Sequence, residues 1–132
     1  MIYEVHKANF GGGMSHVRLA DRTGGQGDGT FLKDLTNLPG KEGLMIVVDY
    51  PPPGSTDPIH RHNAHGFIYV LEGSIVMQVR GGKETTVTAG QTFYEGPDDV
   101  HVVGRNASKT EPAKFFVFFV KDKNAPVFVA AK

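Results

Sequence analysis

Residues 54–73 of this chain read GSTDPIHRHNAHGFIYVLEG, and this stretch decides how the fold is interpreted. It places three of the six histidines within six residues, directly before an apolar strand at 67–71. Residues two apart in an extended strand point to the same face, so His60 and His62 are expected to stand side by side. Two imidazoles on one face are a candidate pair of metal ligands, and two surface histidines in a loop are the alternative.

Composition restricts the classes of protein to consider. The 132 residues suffice for one compact domain and are too few for two. Fourteen basic residues balance fourteen acidic ones, so there is no basic surplus for a nucleic acid partner. Cysteine is absent, which removes disulfides and thiolate chemistry. No signal peptide and no apolar stretch of membrane-spanning length is visible, so we expect a cytoplasmic protein without a membrane partner.

The chain shows apolar runs separated by turn residues, with 17 glycines and 8 prolines. This pattern favours many turns and few helices. A glycine-rich loop at 23–29 lacks the features of a phosphate loop, and residues 30–38 fit either a helical turn or a strand. About ten short strands are predicted, which indicates an all-β antiparallel sandwich or barrel, with a double-sheet roll as candidate. The predicted strands lie at 1–10, 15–21, 44–50, 67–71, 74–80, 84–88, 91–95, 100–103, 114–120 and 127–129.

A third metal ligand must come from a neighbouring strand, because two histidines alone would hold an ion weakly. His101 is the candidate. It follows His62 by 39 residues (101 minus 62), which leaves room for three or four short strands that return beside the first pair. Taken alone, His101 reads as a core histidine bonded to a backbone carbonyl; together with the pair, we interpret it as a ligand.

Two motifs resemble those of the cupin superfamily. The first family motif is Gly, five residues, His-x-His, three or four residues, Glu, six residues and Gly; the second is Gly, then Pro, a short turn, His and a later Asn. The turn between Pro97 and His101 departs slightly from the usual spacing and lacks the usual glycine. The resemblance implies a double-stranded β-helix, or jelly roll, as one domain over 1–132, with its barrel core at about 44–120, N-terminal strands in 1–43 and a C-terminal strand or arm in 121–132. The matching residues are Gly54, His60, His62 and Gly73 in the first motif and Gly90, Pro97, His101 and Asn106 in the second.

Gly66 occupies the position where the family carries its glutamate ligand. The chain therefore looks like the three-histidine variant found in some cupin dioxygenases, including thiol and diketone dioxygenases. A water in place of the carboxylate, or a site that has lost metal, is the alternative. His65 would point away from His62 in a regular strand, but a bulge would turn it towards the metal. Glu95 is a remote carboxylate candidate, with a solvated turn residue as its other interpretation.

Three neutral imidazoles leave a divalent ion with its full charge and about three open positions, which suits a small anionic or enolisable substrate. Iron is expected if the protein is an oxygenase, and zinc, nickel, manganese or copper are the alternatives. Met77, Tyr69 and Phe93 are candidate pocket walls, beside Ile75 and Val79, although plain core positions are the other interpretation.

We therefore predict a small metal-dependent, dioxygenase-like enzyme, with a non-catalytic ligand-binding module as the alternative. Residues 115–120 are apolar at every position, which predicts a strand buried on both faces. A neighbouring subunit is one way to cover the second face. Together with a strand-forming tail at 126–129, this strand predicts a homodimer.

Overall fold

The computed structural model describes residues 6–9, 14–17, 31–52 and 56–132. Within these ranges the chain forms twelve strands and no helix. The described residues therefore contain no helix that is long and apolar enough to span a membrane. The predicted all-β class is confirmed. The strands are β1 (His6–Asn9), β2 (Met14–Val17), β3 (Phe31–Asp34), β4 (Lys41–Tyr50), β5 (His60–Arg61), β6 (Ala64–Glu72), β7 (Ser74–Val79), β8 (Thr85–Thr88), β9 (Thr92–Glu95), β10 (His101–Asn106), β11 (Ala113–Asp122) and β12 (Val129–Ala130).

Two antiparallel sheets face each other. The larger runs β1-β2-β4-β11-β6-β9, with β3 also paired to β4, and the smaller runs β12-β5-β10-β7-β8. Consecutive strands such as β6 and β7 lie in different sheets, so the chain passes repeatedly from one layer to the other, as in a double-stranded β-helix. Gly73 makes the tight passage from β6 to β7 at a φ of 73°, where an added Cβ would lie 2.5 Å from the carbonyl oxygen of Pro112.

The core lies between the sheets and is built by the alternation of side chains along β4, β6 and β11. Each of these strands presents every second side chain to the interior, because successive Cβ atoms point to opposite faces. From the smaller sheet, Ile75 and Met77 of β7 and Val87 of β8 close the core. The larger sheet contributes Leu32, Leu44, Ile46, Val48, Tyr50, Ala64, Ile68, Val70, Phe115, Val117 and Phe119.

Within the single chain, the strand predicted at 115–120 to be buried on both faces is fully buried on one face only. Along β11 fully buried residues alternate with half-buried ones, so Phe116, Phe118 and Val120 lie on the outer face. The outer face remains apolar because neighbouring strands also present large side chains there. Phe67, Tyr69, Leu71 and Tyr94 are each nearly half exposed. We call these four residues with Phe116 and Phe118 the outer aromatic face.

Several local predictions can be compared with the strands. Residues 31–34 form β3, so the first part of the ambiguous segment 30–38 is a strand followed by a turn. The strand predicted at 100–103 extends to Asn106, because β10 pairs with β7 as far as Ile75. The predicted loop at 23–29 lies outside the described residues, as do parts of the strands predicted at 1–10 and 15–21.

The C-terminal arm, residues 126–132, returns to its own domain. Its strand β12 pairs with β5, with Ala130 opposite His60, and the Ala131 amide donates to the Ile59 carbonyl at 3.1 Å. The tail predicted to support dimer formation is therefore used within the chain. This pairing places the arm directly over the histidine strand.

Candidate metal centre

Three histidines meet in the space between the two sheets. His60 lies on β5, His101 begins β10 directly opposite it in register, and His62 lies in the connection that leads to β6. All three are buried, and one ring nitrogen from each lies within 4.8 Å of the others. Such a cluster can hold a metal ion. His62 comes to this place because Asn63 has a φ of 51°, a left-handed conformation that turns the chain from one sheet towards the other.

Backbone carbonyls determine which nitrogens of His60 and His62 carry protons. The Nδ1–H of His60 donates to the Pro58 carbonyl at 2.7 Å, and the Nδ1–H of His62 donates to the Val127 carbonyl at 2.7 Å. A carbonyl oxygen only accepts, so in each neutral ring the Nε2 atom carries the lone pair. The two Nε2 atoms lie 3.1 Å apart. Two lone pairs this close repel each other, and an ion bound to both would remove that repulsion; carbonyls that hold the opposite ring nitrogen are the usual way in which histidines are oriented in metal sites.

The spacing of these donors fits an octahedral ion. Ligands at about 2.1 Å from a metal and at right angles to each other lie about 3 Å apart. The Nε2 atoms of His60 and His62 have this separation. His101 completes the group: its ring centroid lies 4.9 Å from that of His60, and neither of its buried ring nitrogens makes a hydrogen bond in the structure. A buried nitrogen without a partner is costly, and a metal ion would supply one.

Glu95 is the fourth polar group of the site. It ends β9, is only 2% exposed, and places Oε1 2.8 Å from Nε2 of His62 and Oε2 3.3 Å from Nδ1 of His101. The interpretation of Glu95 as a solvated turn residue was wrong, since its side chain is directed into the interior. The sequence carried a weak signal for it, because Glu95 precedes the Gly96-Pro97 turn of the second motif.

Burial makes His60 and His101 poor bases. Desolvation, with repulsion from His62, lowers the pKa of His60 to about 4, and desolvation likewise lowers the pKa of His101. Burial alone would raise the pKa of Glu95, but its contact with His62 and the adjacent imidazoles hold that pKa below its ordinary value. At neutral pH the site therefore offers His60 and His101 as neutral imidazoles and Glu95 as a carboxylate, the protonation states that metal ligands need.

A cavity adjoins the cluster, with an empty volume of about 330 Å³ that includes solvent at its mouth. Its inner walls are apolar, and Phe128 of the C-terminal arm lies over the histidines, with its ring centroid 5.0 Å from His60 and 4.9 Å from His62. One further polar pair reaches the cavity, because the buried Tyr50 hydroxyl donates to Oδ2 of Asp57. The remaining wall residues include Ile46, Val48, Ile68, Met77, Phe115, Val117 and Phe119.

Among the side chains predicted for the site, Met77 lines the cavity and is fully buried. His65 does not reach the cluster, because no bulge turns it inward; it is exposed, and its Nδ1 pairs with the Tyr94 hydroxyl at 2.6 Å. Tyr69 lies on the outer aromatic face at 45% exposure, contrary to its expected place in the pocket. Phe93 is partly buried against the core and does not line the cavity.

Sequence reasoning missed Tyr50, Asp57 and Phe128. Tyr50 ends an apolar strand and Asp57 lies in the segment before His60, so each looked like an ordinary boundary residue. Phe128 is 22 residues beyond the end of the second motif (128 minus 106), and only the return of the C-terminal arm brings it to the site. Only the folded chain shows that these three share a cavity.

The comparisons with known proteins agree with this architecture. The sequence profile of the cupin domain family matches residues 46–119, more than half of the chain. The chain belongs to the cupin family. No curated protein matches the chain by sequence.

Solved structures share the fold. The polyketide cyclase RemF from Streptomyces resistomycificus superposes with a TM-score of 0.61 at 18% identity, covering 100% of this chain and 88% of the other. The DMSP lyase DddQ from Ruegeria pomeroyi gives 0.59 at 19% identity, covering 67% of this chain and 43% of that one, so this chain matches less than half of the lyase. A recombinant oxalate oxidase in complex with glycolate gives 0.55 at 25% identity, covering 74% of this chain and 59% of the other. The first two likenesses show the fold alone.

Proposed function

We propose that this cupin is a small metal-dependent enzyme of the dioxygenase type, acting on a small anionic or enolisable substrate. The observation that carries the proposal is the convergence of His60, His62 and His101 on one buried point beside a cavity. An ion held there would polarise a bound substrate and, if it is iron, supply activation of dioxygen. Iron is the proposed metal, with zinc, nickel, manganese and copper as alternatives.

The residues of the chain would orient the metal ligands, limit water and bind the substrate. The carbonyls of Pro58 and Val127 hold two imidazoles in one tautomer, so the ligand nitrogens are oriented before a metal binds. Apolar walls and the ring of Phe128 limit water at the cavity, which strengthens electrostatic attraction for an anionic substrate. The Tyr50 hydroxyl, kept protonated by burial and by Asp57, donates its proton to Asp57, and this pair places an oriented polar group at the cavity wall.

The choice of a small anion is supported by one comparison. The oxalate oxidase whose structure resembles this chain holds glycolate, a small hydroxy acid. The narrow cavity here also favours a small molecule over a large one. A third reason is charge: a divalent ion held by neutral imidazoles would keep its positive charge, which attracts an anionic substrate.

The test begins with metal content. Protein purified without chelator, and reloaded with Fe²⁺ under anaerobic conditions, should contain close to one equivalent of metal by elemental analysis. His62→Ala should lose it, whereas His65→Ala, a histidine three residues away on the outer face, should keep it. Oxygen uptake by the loaded protein is then measured with diketones, thiols, catechols and small hydroxy acids. A wild-type protein that binds no metal after reloading would overturn the proposal.

The alternative function is a non-catalytic module that binds a small ligand. One observation favours it: Glu95 already lies 2.8 Å from His62, so the cluster has an internal partner without any ion. This alternative predicts that metal-free protein shifts its melting temperature with a small carboxylic acid and that no substrate consumes oxygen. The metal-dependent enzyme predicts ligand binding only after an ion is loaded.

We also propose that the chain forms a homodimer through the outer aromatic face. Four of its side chains are 45–48% exposed, which leaves on the order of 400 Å² of apolar surface. The largest apolar patch on a monomer is commonly about this size and is often functional, and this one would supply about half of the roughly 800 Å² that each partner buries in a standard interface. A second copy is the proposed occupant because zero net charge brings no repulsion between identical chains. The proposed compartment is the cytoplasm.

A further inference from the structure

Three residues from three adjacent strands form one row across the larger sheet. Gly66 of β6 is opposite Glu95 of β9 on one side and opposite Phe119 of β11 on the other. Directly paired residues of antiparallel strands place their side chains on the same face of the sheet. All three positions face the interior, since each is buried. Because Gly66 has no side chain, space is available between the neighbouring side chains of Glu95 and Phe119.

The side chains of Glu95 and Phe119 extend into this space. A Cβ built on Gly66 would lie 3.2 Å from Cγ of Glu95 and 3.0 Å from Cε1 of Phe119. Contacts this short would require the neighbours to move. The side chain of Glu95 therefore occupies space that any larger residue at position 66 would need, which is the position where the cupin motif carries its glutamate.

We propose that Glu95 is the fourth metal ligand of this site. From β9 it would supply the carboxylate that the cupin motif places on β6, at the position occupied here by Gly66. The inference rests on the proposed metal site. It changes the chemistry of that site from three neutral imidazoles to three imidazoles and one carboxylate.

The distances support this assignment. Oε1 of Glu95 lies 2.8 Å from Nε2 of His62, close to the separation of about 3 Å expected for two ligands at right angles on one ion. The same Nε2 atom lies 3.1 Å from that of His60. His62 therefore stands between two donors at nearly equal distances. The other oxygen, Oε2, faces the unbonded Nδ1 of His101 at 3.3 Å.

Burial gives an independent argument. Glu95 is 2% exposed, and a buried carboxylate needs a counter-charge or strong donors. Its nearest polar neighbours are the imidazoles of His62, at 2.8 Å, and His101, at 3.3 Å. A divalent ion would supply the missing positive charge.

The fourth ligand would alter substrate choice. One carboxylate reduces the net charge of the occupied site from two to one and leaves two open positions on an octahedral ion. Two adjacent open positions suit a bidentate anion, such as a 2-hydroxy or 2-oxo acid, or a single-oxygen donor together with dioxygen. The site would thus bind a chelating monoanion with its charge fully compensated.

The test uses Co²⁺ as the probe, because its visible absorption reports the ligand set and calorimetry reports the affinity. Glu95→Gln preserves size and removes the charge. We expect one Co²⁺ per wild-type chain, an affinity at least about tenfold weaker in Glu95→Gln, and a changed absorption spectrum. Glu72→Gln, an exposed glutamate at the end of β6, is the matched control and should behave as wild type.

A second pair of variants moves the carboxylate. Gly66→Glu with Glu95→Ala returns the carboxylate to the family position, and Gly66→Ala with Glu95→Ala fills the same space without charge. The first should bind Co²⁺ at least about tenfold more tightly than the second. Thermal melts check that both variants are folded despite the contact with Phe119.

The outcomes separate the two claims. If Glu95→Gln binds Co²⁺ as tightly as wild type, with an unchanged spectrum, Glu95 is not a ligand while the three-histidine site stands. If the wild-type chain itself binds no Co²⁺, the proposed metal-dependent function fails. Equal affinities for the two double variants would contradict the claim that positions 66 and 95 serve the same ligand place.

Discussion

His62 donates its Nδ1 proton to the carbonyl of Val127, 65 residues further along the chain, at 2.7 Å. This bond joins the first cupin motif to the C-terminal arm. Because the carbonyl fixes the tautomer of the ring, the arm determines which nitrogen His62 presents to the site. The C-terminal arm is therefore part of the candidate metal centre and not a separate appendage.

Truncation after Ala125 should consequently weaken metal binding. The variant removes the acceptor of His62 and the Phe128 ring that lies over the cluster. We expect Co²⁺ affinity to fall about 10- to 100-fold, as for the loss of other groups that orient metal ligands. Truncation after Ala130 keeps both groups and is the control. Phe128→Ala keeps the carbonyl and should have the smaller effect; unchanged affinity after the longer truncation would contradict a role for the arm.

Asn106 should be a stability residue. Its buried amide donates to the carbonyls of Tyr50 and Glu111 at 2.9 and 2.8 Å, and its Oδ1 accepts from the Ser108 amide at 2.9 Å. Asn106→Ala removes all three bonds and leaves the buried Tyr50 carbonyl without this donor, so the free energy of unfolding should fall by about 2–4 kcal/mol. Chemical denaturation measures the change. Asn37→Ala, at an exposed turn, should stay within about 0.5 kcal/mol of wild type.

A buried ion pair lies at the other end of the larger sheet. Nζ of Lys121 donates to Oε1 of Glu42 at 2.6 Å, and both side chains are almost fully buried. Lys121→Met would leave a buried carboxylate without its charge partner and should cost about 3–5 kcal/mol in unfolding free energy. Replacing Glu42 with Met as well should recover most of that loss.

The exposed pair of Lys123 and Asp34, at 2.8 Å, provides the matched control for the buried one. Lys123→Met should change stability by less than about 1 kcal/mol, because water screens the exposed charges. Equal losses for Lys121→Met and Lys123→Met would show that burial does not set the strength of these pairs.

Tyr50 should make the protein less stable at high pH. Burial, reinforced by the negative charge of Asp57, raises the pKa of Tyr50 well above its ordinary value of 10.0. Above pH 10 the unfolded chain therefore releases this proton while the folded chain retains it, so the free energy of unfolding falls as pH rises. Denaturation curves between pH 9 and 11 should show a steeper fall for wild type than for Tyr50→Phe. Tyr69→Phe, at an exposed position, should keep the wild-type slope.

The outer aromatic face should mediate self-association. The ring centroid of Phe67 lies 5.2 Å from that of Tyr94 and 6.3 Å from that of Phe118, near the centre of this surface. Light scattering at micromolar concentration should give a dimer for wild type and a monomer for Phe67→Lys, because a buried unpaired charge is costly. Leu38→Lys changes an exposed apolar residue in a turn and should remain dimeric. A monomeric wild-type chain would remove the proposal.

Strand positions were the most predictable part of the fold. Leu44–Tyr50 and Phe67–Leu71 were recognised from their apolar and β-branched residues, and both lie in the larger sheet. Turn residues such as Gly73 marked where strands end. These signals are local: the alternation of side chains and the conformations open to glycine depend on neighbouring residues in the chain. That the outer face of β11 is only half-buried within the chain could not be predicted, since it depends on what lies beyond the sheet.

By itself, the sequence determined a double-layered β fold and a set of three histidines spaced to meet inside it. Only the tertiary structure decided that His65 points outward, that Glu95 fills the space above Gly66, and that Val127 holds the ring of His62. The physical reason is that these relations arise from register between strands distant in sequence. A one-residue shift in the pairing of β6 with β9 would place Glu95 beside another residue, and nothing in the local sequence of either strand states which pairing occurs.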